Sequence, residues 1–354
     1  MTAKKGLSFF VILSLFVSGA VLYVSVDRSS FEIFKRADAS KLGVAILMVA
    51  LVWLLDALKL KSLTRAAGER TSFAFSMKLT LINYFGAAVT PMQSGGGPFQ
   101  IYMMYRRGIG VGKSIAITLV RTILTMLILG LTIPFTLMFD VEIPKAGWWL
   151  RGFVFYVVTF IMLAWLSIIL SLAKPRLIKR ISGVAVMFLT RAGFLKSKLV
   201  SAILRWINRE VDAYNKNVKD LIKGGRNHLL LGVLFGVFQM WVYLSVMPCM
   251  IWAMGMPVMY VECVLIQALF LFMLYFIPTP GGSGAAEGGA AMIFSVFVPW
   301  SVAGMLGLGW RFLTEYTGIA LGFAIAMKEF GWNFASSAFE KEKDDSGDDG
   351  GPAS

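Results

Sequence analysis

Titratable and metal-binding side chains are scarce in this chain. It holds one histidine and two cysteines in 354 residues, and only 15% of its residues are charged. A lone histidine, His228, cannot build a metal centre, and no Cys/His/carboxylate cluster stands near it in sequence, so no cofactor is expected. Cys249 and Cys263 both fall in apolar runs and read as small buried residues, not as a disulfide or redox pair. No Ser/His/Asp set is present, which argues against hydrolysis inside the membrane. The longest polar stretch has 54 residues, too few for an aminoacyl-transferase domain. The chain is therefore not expected to be an enzyme. Acids are also few, 20 against 34 Lys and Arg, for a net charge of +14. In a chain that is 57% hydrophobic, this surplus reads as cytoplasmic Lys and Arg facing anionic lipid. Nucleic acid is not an expected partner.

What is abundant is apolar sequence in runs long enough to cross a bilayer. Such runs cover residues 7–26, 42–58, 73–89, 114–139, 152–173, 228–254, 260–277 and 301–327. The first lacks a clear cleavage site and reads as a retained helix. The fold class expected is an all-α polytopic membrane bundle of about eight full spans, with two short half-helices at broken positions. Residues 1–328 form the membrane domain. Within it, residues 174–227 hold thirteen Lys or Arg and three acids. Leu199, Ile203, Ile207, Val211, Tyr214, Val218 and Leu221 recur there at steps of three and four, an apolar helical stripe among basic residues. This segment is expected to be cytoplasmic, either lying on the anionic leaflet or packed on the protein itself. Residues 329–354 are acidic and glycine-rich and read as a disordered tail.

Two breaks fall at membrane depth. The first is Thr90-Pro91 followed by Gly95, Gly96 and Gly97; the second is Thr279-Pro280 followed by Gly281, Gly282 and Gly284. Tyr84-Phe85 precedes one and Tyr275-Phe276 the other. Arg121 follows Pro91 by thirty residues, and Arg311 follows Pro280 by thirty-one. With the basic stretch in the cytoplasm, the first unit runs from inside to outside and the second from outside to inside. That is an inverted repeat, as in many secondary transporters.

Broken backbone in hydrocarbon persists only where protein packs over it or a wet cavity reaches it. A half-helix behind such a break presents free N–H groups and a positive dipole end, and both favour an anion. Arginine suits a phosphodiester because its planar fork binds two oxygens. Arg121 has no acid three or four residues away, so it needs a distant partner or a substrate. Arg311 and Glu315 are one turn apart and either neutralise each other or belong to the site. Glu287 either caps its own half-helix or binds a proton or ligand. The glycines serve a ligand or close helix packing. Asp56 and Lys78 lie near span ends and read as snorkelling or locally paired.

Pro280-Gly281-Gly282-x-Gly284-x-x-Glu287 resembles the signature of the lysylphosphatidylglycerol synthase transmembrane-region family, also called flippase-like proteins. Asn83, Pro91 and Gly95, then Arg121, then the run from Trp310 and Arg311 through Tyr316 to Gly318 resemble its other blocks. The similarity spans about residues 7 to 328. It implies a protein of the bacterial inner membrane that moves or handles lipids, here with both termini cytoplasmic. The function expected is a transporter of an anionic, phosphate-bearing lipid or lipid-linked precursor. The alternative is a non-transporting membrane partner of a lipid- or glycan-synthesis enzyme.

Overall fold

The computed structural model describes residues 3–26, 28–138 and 225–337, with Thr159 and Gly183 singly. The expected span at 152–173, almost all of the basic segment 174–227 and residues 338–354 of the tail lie outside the described residues. The described chain is helical. Its helices are α1 (Ala3–Ser25), α2 (Arg28–Lys35), α3 (Ala39–Ala66), α4 (Phe73–Ala88), α5 (Gly96–Arg106) and α6 (Val111–Met138), then α7 (Arg226–Ala253), α8 (Tyr260–Leu274), α9 (Ala285–Phe294), α10 (Trp300–Arg311) and α11 (Thr317–Ser337). A single π turn, Phe312–Tyr316, joins α10 to α11 without a loop.

Four described stretches are long and apolar enough to cross a membrane: Gly6–Ser25, Ala39–Ala66, Val111–Leu131 and Arg226–Ala253. The spans expected at 73–89 and 260–277 stop early. α4 has 16 residues and α8 has 15, so they rise about 24 and 22 Å, short of a hydrocarbon core of about 30 Å. Neither is long enough to cross alone, and they stop at Thr90-Pro91 and before Pro278-x-Pro280. Proline has no N–H to give the helix and forces the residue before it out of helical geometry. α5 and α9, of 11 and 10 residues, are the half-helices behind the two breaks. The expected eighth span is split by the π turn, and helical structure resumes past residue 328 to Ser337 with a break at Gly331, whose φ is 70° and ψ 167°, so part of the expected tail is helical.

Between apolar helices in lipid, close approach and polar contacts hold more than hydrophobicity does. The packing shows this. Gly318 and Gly322, four apart on α11, face α4; a Cβ on Gly318 would press the Tyr84 ring at 3.0 Å, and one on Gly322 would overlap the Leu81 carbonyl. Gly307 of α10 lies against the Ala291 backbone of α9, where a Cβ would stand 2.8 Å from the amide nitrogen. The main apolar core joins α3 and α7 to α8, α9 and α10 through residues such as Val49, Val52, Leu244, Met247, Phe294 and Leu306. Outward-facing Ile12, Leu15, Phe16, Leu47 and Leu234 are exposed, as lipid-facing side chains would be.

Candidate functional site

The two breaks fold into one turn used twice. Aligned on their prolines, Met92 and Gln93 have φ of 54° and 55°, and Gly281 and Gly282 have 60° and 67°. Ser94 N–H donates to the Pro91 carbonyl at 3.2 Å, and Ser283 N–H to the Pro280 carbonyl at 3.0 Å. A threonine side chain closes each turn. Thr90 Oγ1 accepts from Gly95 N–H at 2.6 Å, while Thr279 Oγ1 donates to the Ser283 carbonyl at 2.8 Å. The short helices then start at the matched positions Gly96 and Ala285.

The turns also touch. Pro91 and Pro280 form an isolated antiparallel bridge, and Gly281 N–H donates to the Thr90 carbonyl at 3.3 Å. Antiparallel pairing of equivalent residues is what a local two-fold axis between the repeats produces. The bridge pairs backbone groups that hydrocarbon would leave unsatisfied.

The glycines divide by role. Gly281, Gly282 and Gly284 all have positive φ, and Gly281 packs so closely that a Cβ would meet Phe10 and Ala88. Gly95 and Gly96 have ordinary space problems instead: they lie against Gly86, Thr90 and the Asn83 amide. Gly97 has open space around its Cα, and nothing about it requires glycine. The second half-helix does not present a free N-terminus. Glu287 Oε2 accepts from Gly284 N–H at 2.6 Å, so a carboxylate of the chain itself occupies the position that an anion would take.

The two arginines sit in separate buried clusters. Arg121 of α6 pairs with Asp56 of α3, Nη2 to Oδ2, at 2.5 Å. Asp56 Oδ1 also takes Lys59 Nζ at 2.7 Å, and Lys59 donates to Gln239 of α7 at 3.0 Å. Asp56 and Lys59 are buried, and two cations thus share one carboxylate. Arg121 Nε has no partner among the described residues. In the second cluster Arg311 Nη2 donates to the Gly281 carbonyl at 2.8 Å. Its Nε lies 3.5 Å from Glu287 Oε1, and its Nη1 lies 3.9 Å from Glu315 Oε2. Glu287 Oε1 further accepts from Tyr316 at 2.6 Å and Ser14 at 3.0 Å, and Glu315 Oε1 accepts from Tyr243 at 3.0 Å. Here one cation is shared by two carboxylates. α3, which carries Asp56 and Lys59, packs on the π turn that carries Glu315, so the two clusters lie on neighbouring elements.

Several sequence expectations change. Asp56 neither snorkels nor stops at a local partner; its second partner, Arg121, comes from 65 residues away. Lys78 likewise pairs with Glu329 at 2.6 Å, 251 residues away, because α4 and α11 run side by side. Glu287 caps its helix, one of the two roles expected, and also lies 3.5 Å from Arg311. Lys59, Gln239 and Tyr243 join the clusters beyond the candidates expected from sequence, and Tyr316, part of the family-like block, proves to be a donor to Glu287. For Lys59 the available signal was its position three residues after Asp56, on the same helical face.

Backbone broken within the membrane and covered by its own repeat marks a polytopic membrane protein organised around those turns. The chain belongs to the lysylphosphatidylglycerol synthase transmembrane-region family, whose model matches residues 11–322. It is similar to a UPF0104 membrane protein of Archaeoglobus fulgidus, 26% identical over 313 residues, 88% of this chain and 93% of the relative.

Proposed function

We propose that this protein transports an anionic lipid or lipid-linked precursor, binding the phosphate of its headgroup beside Arg121. The observation that carries this reading is the charge surplus at Asp56, Lys59 and Arg121. A buried cation without a matching anion costs several kcal/mol, so a net positive cluster at this depth favours an anionic ligand. Arg121 is 11% exposed and its Nε has no hydrogen-bond partner among the described residues, so it keeps donor capacity for a phosphate oxygen. Arg311 donates to the Gly281 carbonyl and lies in ion-pair range of Glu287 and Glu315, and its role in this reading is to hold the second turn. The setting is the bacterial inner membrane with both termini cytoplasmic, and the protein acts as a transporter without an enzymatic step.

The test is Arg121→Ala. Asp56 keeps Lys59 as its partner, so the variant should fold. Native mass spectrometry should show anionic lipid bound about ten- to a hundredfold more weakly, the loss of one charge-assisted contact. Arg121→Lys should recover part of it, since lysine keeps the charge without the fork. Unchanged lipid binding and unchanged lipid movement in reconstituted vesicles by Arg121→Ala would end this reading. Binding without movement by the unaltered protein would instead support a non-transporting partner of a lipid-synthesis enzyme.

A further inference from the structure

The second cluster has the opposite imbalance, and its two carboxylates are not equivalent. Glu287 is fully buried and receives three hydrogen bonds, from Ser14, Tyr316 and Gly284 N–H, besides the 3.5 Å approach of Arg311 Nε. Those donors stabilise it as an anion. Glu315 receives one, from Tyr243 to Oε1. Its Oε2 is 3.9 Å from Arg311 Nη1, beyond hydrogen-bond distance. The Arg311 fork is already turned elsewhere, with Nη2 on the Gly281 carbonyl. Buried Arg311 Nε makes no hydrogen bond among the described residues, so one guanidinium serves the two acids poorly here.

Among the described residues, Arg311 is the one cation within ion-pair distance of Glu315, and Arg121 lies farther off in the neighbouring cluster. α7 brings Tyr243, α9 brings Glu287, α4 brings Tyr84, and the end of α8 brings Tyr275. α3 also packs on the π turn, but its Lys59 is matched to Asp56. The Glu315 side chain is 24% exposed, whereas Arg311 is 2% and Glu287 0%. Of the two carboxylates, it is the one left partly exposed. It also sits in the π turn, an irregularity that recurs at functional positions in helices.

We propose that Glu315 is a proton-binding residue and that its protonation is coupled to occupancy of the anion site at Arg121. A proton from solvent adds to Oε2, since Oε1 accepts from Tyr243. The cluster then holds one guanidinium and one carboxylate, and its charge is balanced. The coupling rests on the lipid reading given above; the proton site does not. Negative charge arriving at Arg121 raises the proton affinity of a carboxylate on a neighbouring element, and a proton on Glu315 favours the anion by the same factor.

Infrared spectroscopy of the purified protein tests the proton site. The carbonyl stretch of a protonated carboxylic acid should be present near neutral pH and absent in Glu315→Gln, whose amide mimics the neutral acid. Tyr243→Phe should shift the band to higher frequency by removing the hydrogen bond on Oε1. This second variant decides the matter if Glu315→Gln does not fold. A band that survives Glu315→Gln, or that ignores Tyr243→Phe, overturns the proposal. The coupling is tested with nanodiscs containing phosphatidylglycerol. Binding should tighten roughly tenfold from alkaline to mildly acidic pH, and the dependence should vanish in Glu315→Gln. Binding that is tight but independent of pH overturns the coupling. The proton band without any lipid binding removes the lipid reading and leaves the proton site standing.

Discussion

Removing Asp56 leaves Lys59 and Arg121 side by side in a site that largely excludes water. Breaking a buried ion pair by deleting one partner costs about 3–5 kcal/mol, because the charge left behind is uncompensated. Asp56→Ala should therefore lower thermal stability in detergent more than Arg121→Ala, which leaves Asp56 with Lys59. Asp56→Ala combined with Lys59→Met should recover much of the loss, since one cation goes with the anion. Equal stability of the single and double variants would show that the cluster is not a coupled unit. The residue scale is also where sequence was least informative. Arg121 announces itself as a cation in an apolar run. Its counter-ion is on a helix 65 residues earlier, and Gln239 is 180 residues from Lys59. Such pairings depend on which helix faces meet, and periodicity within one helix does not encode that.

Two elements carry effects that separate backbone strain from ionisation. The first turn uses Met92 and Gln93 where the second uses glycines, although both take the same left-handed backbone. Non-glycine residues there cost roughly 1–2 kcal/mol each. Gln93→Gly should therefore raise the melting temperature, and Gly282→Ala should lower it; the reverse pair of shifts would contradict the shared turn. Thr-Pro and nearby glycine made both breaks legible in the sequence. The glycine count hid their register, because only Gly95 has a glycine, Gly284, at the matched position; Gly96 and Gly97 align with Ala285 and Ala286, and Gly281 and Gly282 with Met92 and Gln93. The second element is the start of α3. Asp38 caps it, accepting from Ser40 Oγ at 2.6 Å and Ser40 N–H at 2.9 Å. The Ser40 hydroxyl holds the Asp38 carboxyl below the usual carboxylate range. A lowered folded value means that the cap stabilises above the unfolded pKa, near 3.9, and that this is lost as pH falls through the folded value. Asp38→Ala should melt earlier than the unaltered protein at neutral pH, and the gap should close in acid. A gap that persists at low pH would mean that the loss is not electrostatic.

At the scale of the molecule, the helical membrane bundle and the two half-helices follow from apolar runs and their breakers. Direct contact between the turns does not, because it depends on how the repeats assemble. The Pro91–Pro280 bridge makes that assembly testable. Residues directly opposite in an antiparallel pair have Cα atoms about 4.5–5.5 Å apart, within the usual span of a disulfide. With the native thiols removed as Cys249→Ala and Cys263→Ala, the pair Pro91→Cys and Pro280→Cys should oxidise to an intramolecular disulfide. Absence of that crosslink would mean that the turns do not meet. Its formation allows a second measurement. In transporters built from inverted repeats, access alternates as one repeat or bundle rocks against another around a fixed site. If the two turns part during that motion, the oxidised protein should still bind anionic lipid in native mass spectrometry but should not move it in vesicles. Reduction should restore movement in the same preparation, which separates locking from damage. Full movement in the oxidised state would show that the bridged turns stay together as a hinge. The mobile boundary would then have to run between this paired core and the surrounding helices.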